Sequence, residues 1–297
     1  LDVDELFRFE QLPFELDELP ATFSKFRKVV EKKPGLVPDP PSDVATLTPC
    51  IEQPWPDPVE WTETFDYTLP SQTEVATRGG ERHAKAHWAA YLDAHALSHY
   101  KQTRNAFCGP MQSSQLSAWL AHGCLSARQI WSDTLAYESR VGANESTYWL
   151  RFELLWREYF RWYARASDWT LFRRSGPNDK EVAGDHNVTR FESWKTGHTN
   201  CDIVDAAMRE LNQTGWMSNR ARQLVASHLI YELNLDWRLG ASYFESQLVD
   251  FDVASNWGNW AYIAGVGPDP RGGRIFNLND QADRYDPDQS YRRRWLS

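Results

Sequence analysis

The densest chemistry in the chain lies between Asp250 and Pro270, in the run DFDVASNWGNWAYIAGVGPDP. Asp250, Asp252, Asn256 and Asn259 stand here among Trp257, Trp260 and Tyr262, in a stretch too apolar for a solvated loop. A second dense run, from Gly215 to Trp237, carries Asn219 and Arg222 at a spacing that puts them one helical turn apart on one face. Charged and amide groups set among Leu, Val, Trp and Ile need partners when they are buried. Two arrangements supply them: a closed polar network within the protein, or a large, flat ligand rich in heteroatoms. Spacing alone leaves the two on an equal footing.

A third candidate lies in STYWLRFELLWREYFRWYARASD, residues 146–168, which reads as one long helix capped by Ser146. Trp149, Phe152, Leu155, Trp156, Tyr159 and Phe160 give it a broad aromatic face, and helical spacing puts Glu153 on the same side. Desolvation among aromatic rings should disturb the protonation of that carboxylate, which marks it as a functional candidate. A plain ion pair with Arg157 explains it equally simply. Further back, Ser113 and Ser114 are placed to cap an apolar helix, QLSAWLAHG, that ends at Gly123, and Ser126 caps the next. Free N–H groups and hydroxyls at such a place suit a phosphate, although the serines could serve only as caps.

WMSNRAR, the acidic pair in DFD, ELLWREYFRW and NWGNWAYIAGVGPDPRGG resemble the flavin-binding half of the photolyase/cryptochrome family, and NWGNWAY followed by GVGPDPRGGR points to its DASH branch. The likeness runs in order from about Leu12 to Trp295 through several independent motifs. It implies a multi-helix, all-α FAD domain that splits cyclobutane pyrimidine dimers in blue light, with single-stranded DNA preferred. By the same likeness Tyr100, Ser113, Ser114, Gln115, Leu116 and Ser117 would hold the FAD diphosphate. The family often has a basic residue where Gln115 stands. Trp216, Asn219, Arg222, Asp250, Phe251, Asp252 and Asn256 would complete the flavin pocket, with Arg222 and Asp250 paired against the ring and Asn256 near its N5 as acceptor or donor. Glu153, Trp156 and Asn219 would meet the flipped dimer, with Arg157 and Tyr262 beside them on the DNA side. Trp260 and Trp237 match the inner and middle positions of an electron relay of three tryptophans. The outer position falls on Gly184, which leaves Trp162 and Trp169 as through-space candidates. No histidine pair at matching positions points to (6-4) lesions.

These residues need a scaffold, and the rest of the chain supplies it. At 297 residues with 41% hydrophobic and 25% charged residues, the chain is long enough for a full globular core. Fifteen tryptophans favour an aromatic ligand over mere packing. A net charge of -9 argues against nucleic-acid binding by bulk electrostatics, so DNA must be met by a local basic face. Cys50, Cys108, Cys124 and Cys201 have neither zinc nor disulfide-framework spacing, which fits a reducing, intracellular compartment and no metal. The acidic start is no signal peptide, and no apolar run reaches membrane-spanning length.

In chain order, residues 1–72 are expected to form an interdomain linker. Within them lies a short amphipathic helix with Phe23, Phe26, Val29 and Val30 on one side, and residues 34–58 hold eight of the sixteen prolines. Residues 73–297 form the helical FAD-binding domain, which opens with a helix from Thr73 to Arg104 that buries Ala84, Trp88, Tyr91 and Leu92. No βαβ pattern or glycine-rich phosphate loop is present, so the N-terminal antenna domain of the resembled family is missing from this sequence. Folate or deazaflavin would be relevant only with that domain supplied elsewhere, as a separate domain or chain; otherwise a monomer is expected. The turn Gly197-His198-Thr199-Asn200-Cys201-Asp202 lacks a Gly and a Pro that the family usually has. Two other functions remain open: a flavin photoreceptor that signals through partner proteins without repair, and a non-catalytic helical interaction domain.

Overall fold

The computed structural model describes residues 5–33, 35–39, 78–109 and 111–297. The proline-rich run of 40–58, the boundary at residue 73 and the start of the helix expected from Thr73 lie outside them. Helices dominate, in the order α1 (Phe23–Val30), α2 (Glu81–Asp93), α3 (Tyr100–Thr103), α4 (Ser117–Ala121), α5 (Ala127–Val141), α6 (Glu145–Ser167) and α7 (Val188–Lys195), then α8 (Asp202–Thr214), α9 (Asn219–Ser227), α10 (Trp237–Gln247), α11 (Val253–Ala264), α12 (Leu278–Tyr285) and α13 (Ser290–Leu296). Among the described residues the only β pairing is an isolated bridge between Asp185 and Leu235, so the all-α expectation holds. No described helix is long and apolar enough to cross a membrane.

The central element is α6, whose 23 residues put Leu150, Leu154, Leu155, Tyr159, Trp162 and Tyr163 in the core. Its start is fixed by Asn144 rather than Ser146: the Asn144 side chain accepts from the Ser146 and Thr147 amides, and the Asn144 amide donates in return to Thr147 Oγ1. Ser146 sits inside the first turn, with its hydroxyl turned to Gln102. A cap of this kind contributes about 1 kcal/mol.

Helix α11 packs across α6 and α10. The approach is close enough that only glycine fits at two contacts. A Cβ on Gly258 would lie 2.4 Å from Phe160 Cδ1, and one on Gly240 would lie 2.1 Å from Trp260 Cη2. Its entry is fixed by Asp252, whose carboxylate accepts from the Ser255 amide. Ser218 caps α9 and Asp236 caps α10 in the same way.

The N-terminal segment is built into this core. Glu158 is fully buried on α6, and it accepts from the Leu6 amide at 2.9 Å, the Phe7 amide at 3.0 Å and Trp162 Nε1 at 2.8 Å. Leu6, Phe7, Phe23, Phe26 and Val30 are all buried. Val29, expected on the same apolar side, is 38% exposed, because the stripe that meets α6 is the narrower one through Phe23, Phe26 and Val30.

Two helices differ from the sequence reading. The described part of the stretch up to Arg104 is not continuous: it breaks after Asp93, where His95 takes a left-handed φ of 53°, and Leu92 is only partly buried. Ser113 and Ser114 do not cap α4. That helix starts at Ser117 after Leu116, with no side-chain cap, because Gln115 in a left-handed conformation (φ 50°) turns the chain before a helix can begin. Ser126 does cap α5, accepting from the Arg128 amide.

Candidate active site

The sequence candidates converge on one cavity of about 510 Å³, within the range of sites that enclose a cofactor-sized ligand. Its walls come from α3, the 113–117 loop, α6, the start of α9, the Asp250–Asp252 turn and α11. Tyr100, Ser113, Ser114, Gln115, Leu116 and Ser117 line the cavity. Trp216, Asn219, Arg222, Asp250, Phe251, Asp252, Asn256 and Trp260 line it as well, together with Glu153, Trp156, Arg157 and Tyr262. Trp237 does not line it. That indole lies outside the wall and donates to the Arg174 carbonyl at 3.0 Å.

Arg222 and Asp250 meet at 2.7 Å, and Arg222 Nε also donates to the Met217 carbonyl at 3.0 Å. This uses one carboxylate oxygen. The other, Asp250 Oδ1, is buried without a hydrogen-bond partner among the described residues. A buried charged acceptor with an open valence is costly and expects a donor. Asp252 is pulled two ways: burial works to raise its carboxyl, but Arg161 at 2.9 Å and the Ser255 bonds outweigh it and hold the group below the ordinary carboxylate range. The anion is therefore fixed as cap and ion-pair partner. Asn256 Nδ2 donates to the Ala241 carbonyl at 2.9 Å, so of its two polar atoms the carbonyl oxygen is left to the cavity, as an acceptor.

On α6, Glu153 pairs at 2.9 Å with Arg104 of the segment after α3. The Arg157 guanidinium reaches the Leu120 carbonyl at 3.5 Å. Burial pushes the Glu153 carboxyl up, and Arg104 opposes it without prevailing. Trp156 is stacked on Phe23 with ring centroids 3.8 Å apart and meets the edge of Tyr262 at 5.5 Å. Tyr262 is held in turn by a hydrogen bond from Arg274.

Sequence reasoning missed Arg104 and Arg274. Neither lies in an apolar run, and each reaches the cavity from a segment remote from its partner, so no spacing rule signals them. Trp162 and Trp169 lie elsewhere. Trp162 is fully buried against Phe9 and Glu158, and Trp169 is 63% exposed beside Arg173.

An aromatic-walled cavity lined by hydroxyls and an unpaired carboxylate oxygen describes a helical flavin-binding domain. The chain matches the FAD binding domain of DNA photolyase over residues 149–297 and belongs to that family. It is 49% identical over 291 residues to a cryptochrome DASH of Idiomarina loihiensis, covering 98% of this chain and 63% of that protein. It superposes on the crystal structure of a Synechocystis cryptochrome with a TM-score of 0.85 at 43% identity, covering 99% of this chain and 61% of the other. A class III photolyase from Agrobacterium tumefaciens follows with a TM-score of 0.80 at 29% identity and the same coverage. The chain thus spans about three fifths of the length of the relatives it matches. FAD is the cofactor of this family, and the donor set here fits it: Asp250 Oδ1 and Asn256 Oδ1 offer acceptors, while Arg222 supplies a cation.

Proposed function

We propose that the chain repairs cyclobutane pyrimidine dimers in blue light, with single-stranded DNA as the favoured substrate. The observation that supports this most is that Glu153, Trp156 and Asn219 share one cavity with the Arg222–Asp250 pair, so a lesion and a flavin would lie side by side. A pure photoreceptor has no need of a base-sized polar and aromatic wall there. FAD, when bound, supplies the light-driven electron that opens the cyclobutane ring.

The protein's part is binding and positioning. Trp156 and Tyr262 offer ring surface and edge on which an unstacked base can rest. Glu153, pushed toward its protonated form by burial, offers a hydrogen bond to a base carbonyl, and Arg104 fixes its direction. Asn219 adds an amide that can donate and accept. Arg222 and Asp250 orient the ring system, and the buried apolar wall excludes water. A dimer stacks and pairs poorly, so extruding it costs less than extruding a normal base, and least in a single strand. With a net charge of -9, affinity must come from local arginines and stacking, and it should fall as salt rises.

The test uses the purified full chain reconstituted with FAD, chemically reduced and exposed to blue light with dimer-containing oligonucleotides. Repair of the single strand in excess of the duplex is expected. Flavin binding with light-driven reduction but no repair of either substrate would refute the proposal and favour the photoreceptor. An intact fold that binds no flavin would refute both.

A further inference from the structure

Resting on that reading, we propose that Trp257 is the terminal electron donor of a relay Trp260–Trp237–Trp257, and that Glu245 takes up its indole proton. The three rings stand on α10 and α11, which pack against each other. Trp260 lines the cavity and presses its six-membered ring on Gly240, one helical turn beyond Trp237 on α10. Trp257 precedes Trp260 by one turn on α11. It meets Trp237 edge-on, with ring centroids 5.7 Å apart and planes at 77°. Trp257 is partly exposed, and a surface hollow of about 500 Å³ bordered by Phe172, His186 and Arg238 opens onto it, so a solute can reach the ring. Its Nε1 donates to Glu245 Oε2 at 2.9 Å.

The alternatives are weaker on geometry. The Gly184 slot cannot hold a ring, because a Cβ there would lie 2.7 Å from the Leu235 carbonyl carbon and oxygen. A second branch leaves Trp260 through Trp194, at 6.2 Å, and continues to Tyr243 at 5.9 Å. Trp194 is fully buried and donates to a backbone carbonyl. The Tyr243 hydroxyl donates to Asn212 Oδ1 at 2.6 Å, an amide that accepts a hydrogen bond but is no base for the proton an oxidised phenol must lose. Of the two branches, only the one through Trp257 ends on a carboxylate.

The electrons balance as follows. Trp260 gives one electron to the excited oxidised flavin, Trp237 refills Trp260, and Trp257 refills Trp237. The proton on Trp257 Nε1 then passes to Glu245, leaving a neutral indole radical and a neutral carboxylic acid. With the positive charge gone from the ring, return of the electron along the same path is slowed. A thiol in solution restores Trp257 with one electron and one proton.

Transient absorption and spin resonance on the FAD-loaded full chain test this. Wild type should give a long-lived neutral tryptophan radical. Trp257→Phe should shorten its lifetime at least tenfold, with flavin content unchanged and with repair by chemically pre-reduced protein unchanged. Glu245→Gln, a change at an exposed side chain, should leave the radical in its cationic form and shorten its lifetime. An unaltered radical in Trp257→Phe, or loss of it in Tyr243→Phe instead, overturns the proposal. Because repair by pre-reduced protein does not use the relay, a repair-competent chain with no long-lived radical defeats the relay alone. A chain that never repairs defeats the reading beneath it.

Discussion

Two glutamates five residues apart on α6 are used in opposite ways. Glu158 faces the N-terminal segment and has three donors, two backbone amides and an indole, so its carboxylate is closed off. Glu153 faces the cavity, is paired with the Arg104 side chain and, unlike Glu158, accepts from no backbone amide among the described residues. Burial pushes both carboxyls up. What separates them is the kind of partner: a buried carboxylate closed off by backbone amides holds structure together, while one without them beside a cavity is available to a ligand. Asp250, with one oxygen on Arg222 and the other unpaired, is of the second kind.

The strongest way to break this contrast is Glu158→Ala. It strands the Leu6 and Phe7 amides and the Trp162 indole, and the loss should be about 3 kcal/mol or more. Urea unfolding should show it, along with faster proteolysis near residues 5–30. A stability loss below the scatter of ordinary surface changes would end the structural half of the comparison. Glu153→Ala should do the reverse. Stability should fall less than in Glu158→Ala and flavin content should hold, while repair drops about ten- to a hundredfold, the equivalent of about 1–3 kcal/mol for leaving a buried hydrogen-bond partner unmet. Loss of FAD from that variant would assign Glu153 to the cofactor instead.

Glu210 offers a finer test, because it lies between the two cases. It is buried at the contact of α8 with α13 and accepts from the Tyr291 hydroxyl at 2.6 Å. Burial raises its carboxyl from 4.5 to about 7, and Tyr291 and Arg294 only partly offset this. The folded state therefore keeps its proton to higher pH than the unfolded chain does. The stabilisation is complete below about 4.5 and is lost as pH rises to about 7. The effect should be on the order of 1–3 kcal/mol, read from thermal unfolding across that window, and Glu210→Gln should flatten it. A stability that instead rises with pH in wild type relative to Glu210→Gln would show that the carboxylate is better satisfied than its single donor implies.

The sequence was most informative where contacts are local. Asn219 and Arg222 share a wall because helical spacing puts them there, and the aromatic face of α6 follows from the same periodicity. It was least informative where a partner comes from far along the chain. Arg157 is the partner that spacing suggests for Glu153, but Arg104, which pairs with it from another element, has no such signal. The pairing of Arg222 with Asp250, across 28 residues, was readable only through the family likeness. The serine caps failed for a different reason. Left-handed Gln115 is a backbone choice that a polar side chain does not advertise.

Phe23, on the first helix, has a consequence for Trp156. With Phe23 flat against one face of that indole, the ring is a jaw with a fixed backing, and a guest can be gripped only from the other side. The grip therefore depends on a residue more than a hundred positions away in a segment that reads as a linker. A fragment trimmed to the helices after residue 78 would keep every cavity residue and still hold Trp156 loosely, free to tilt where it should be rigid.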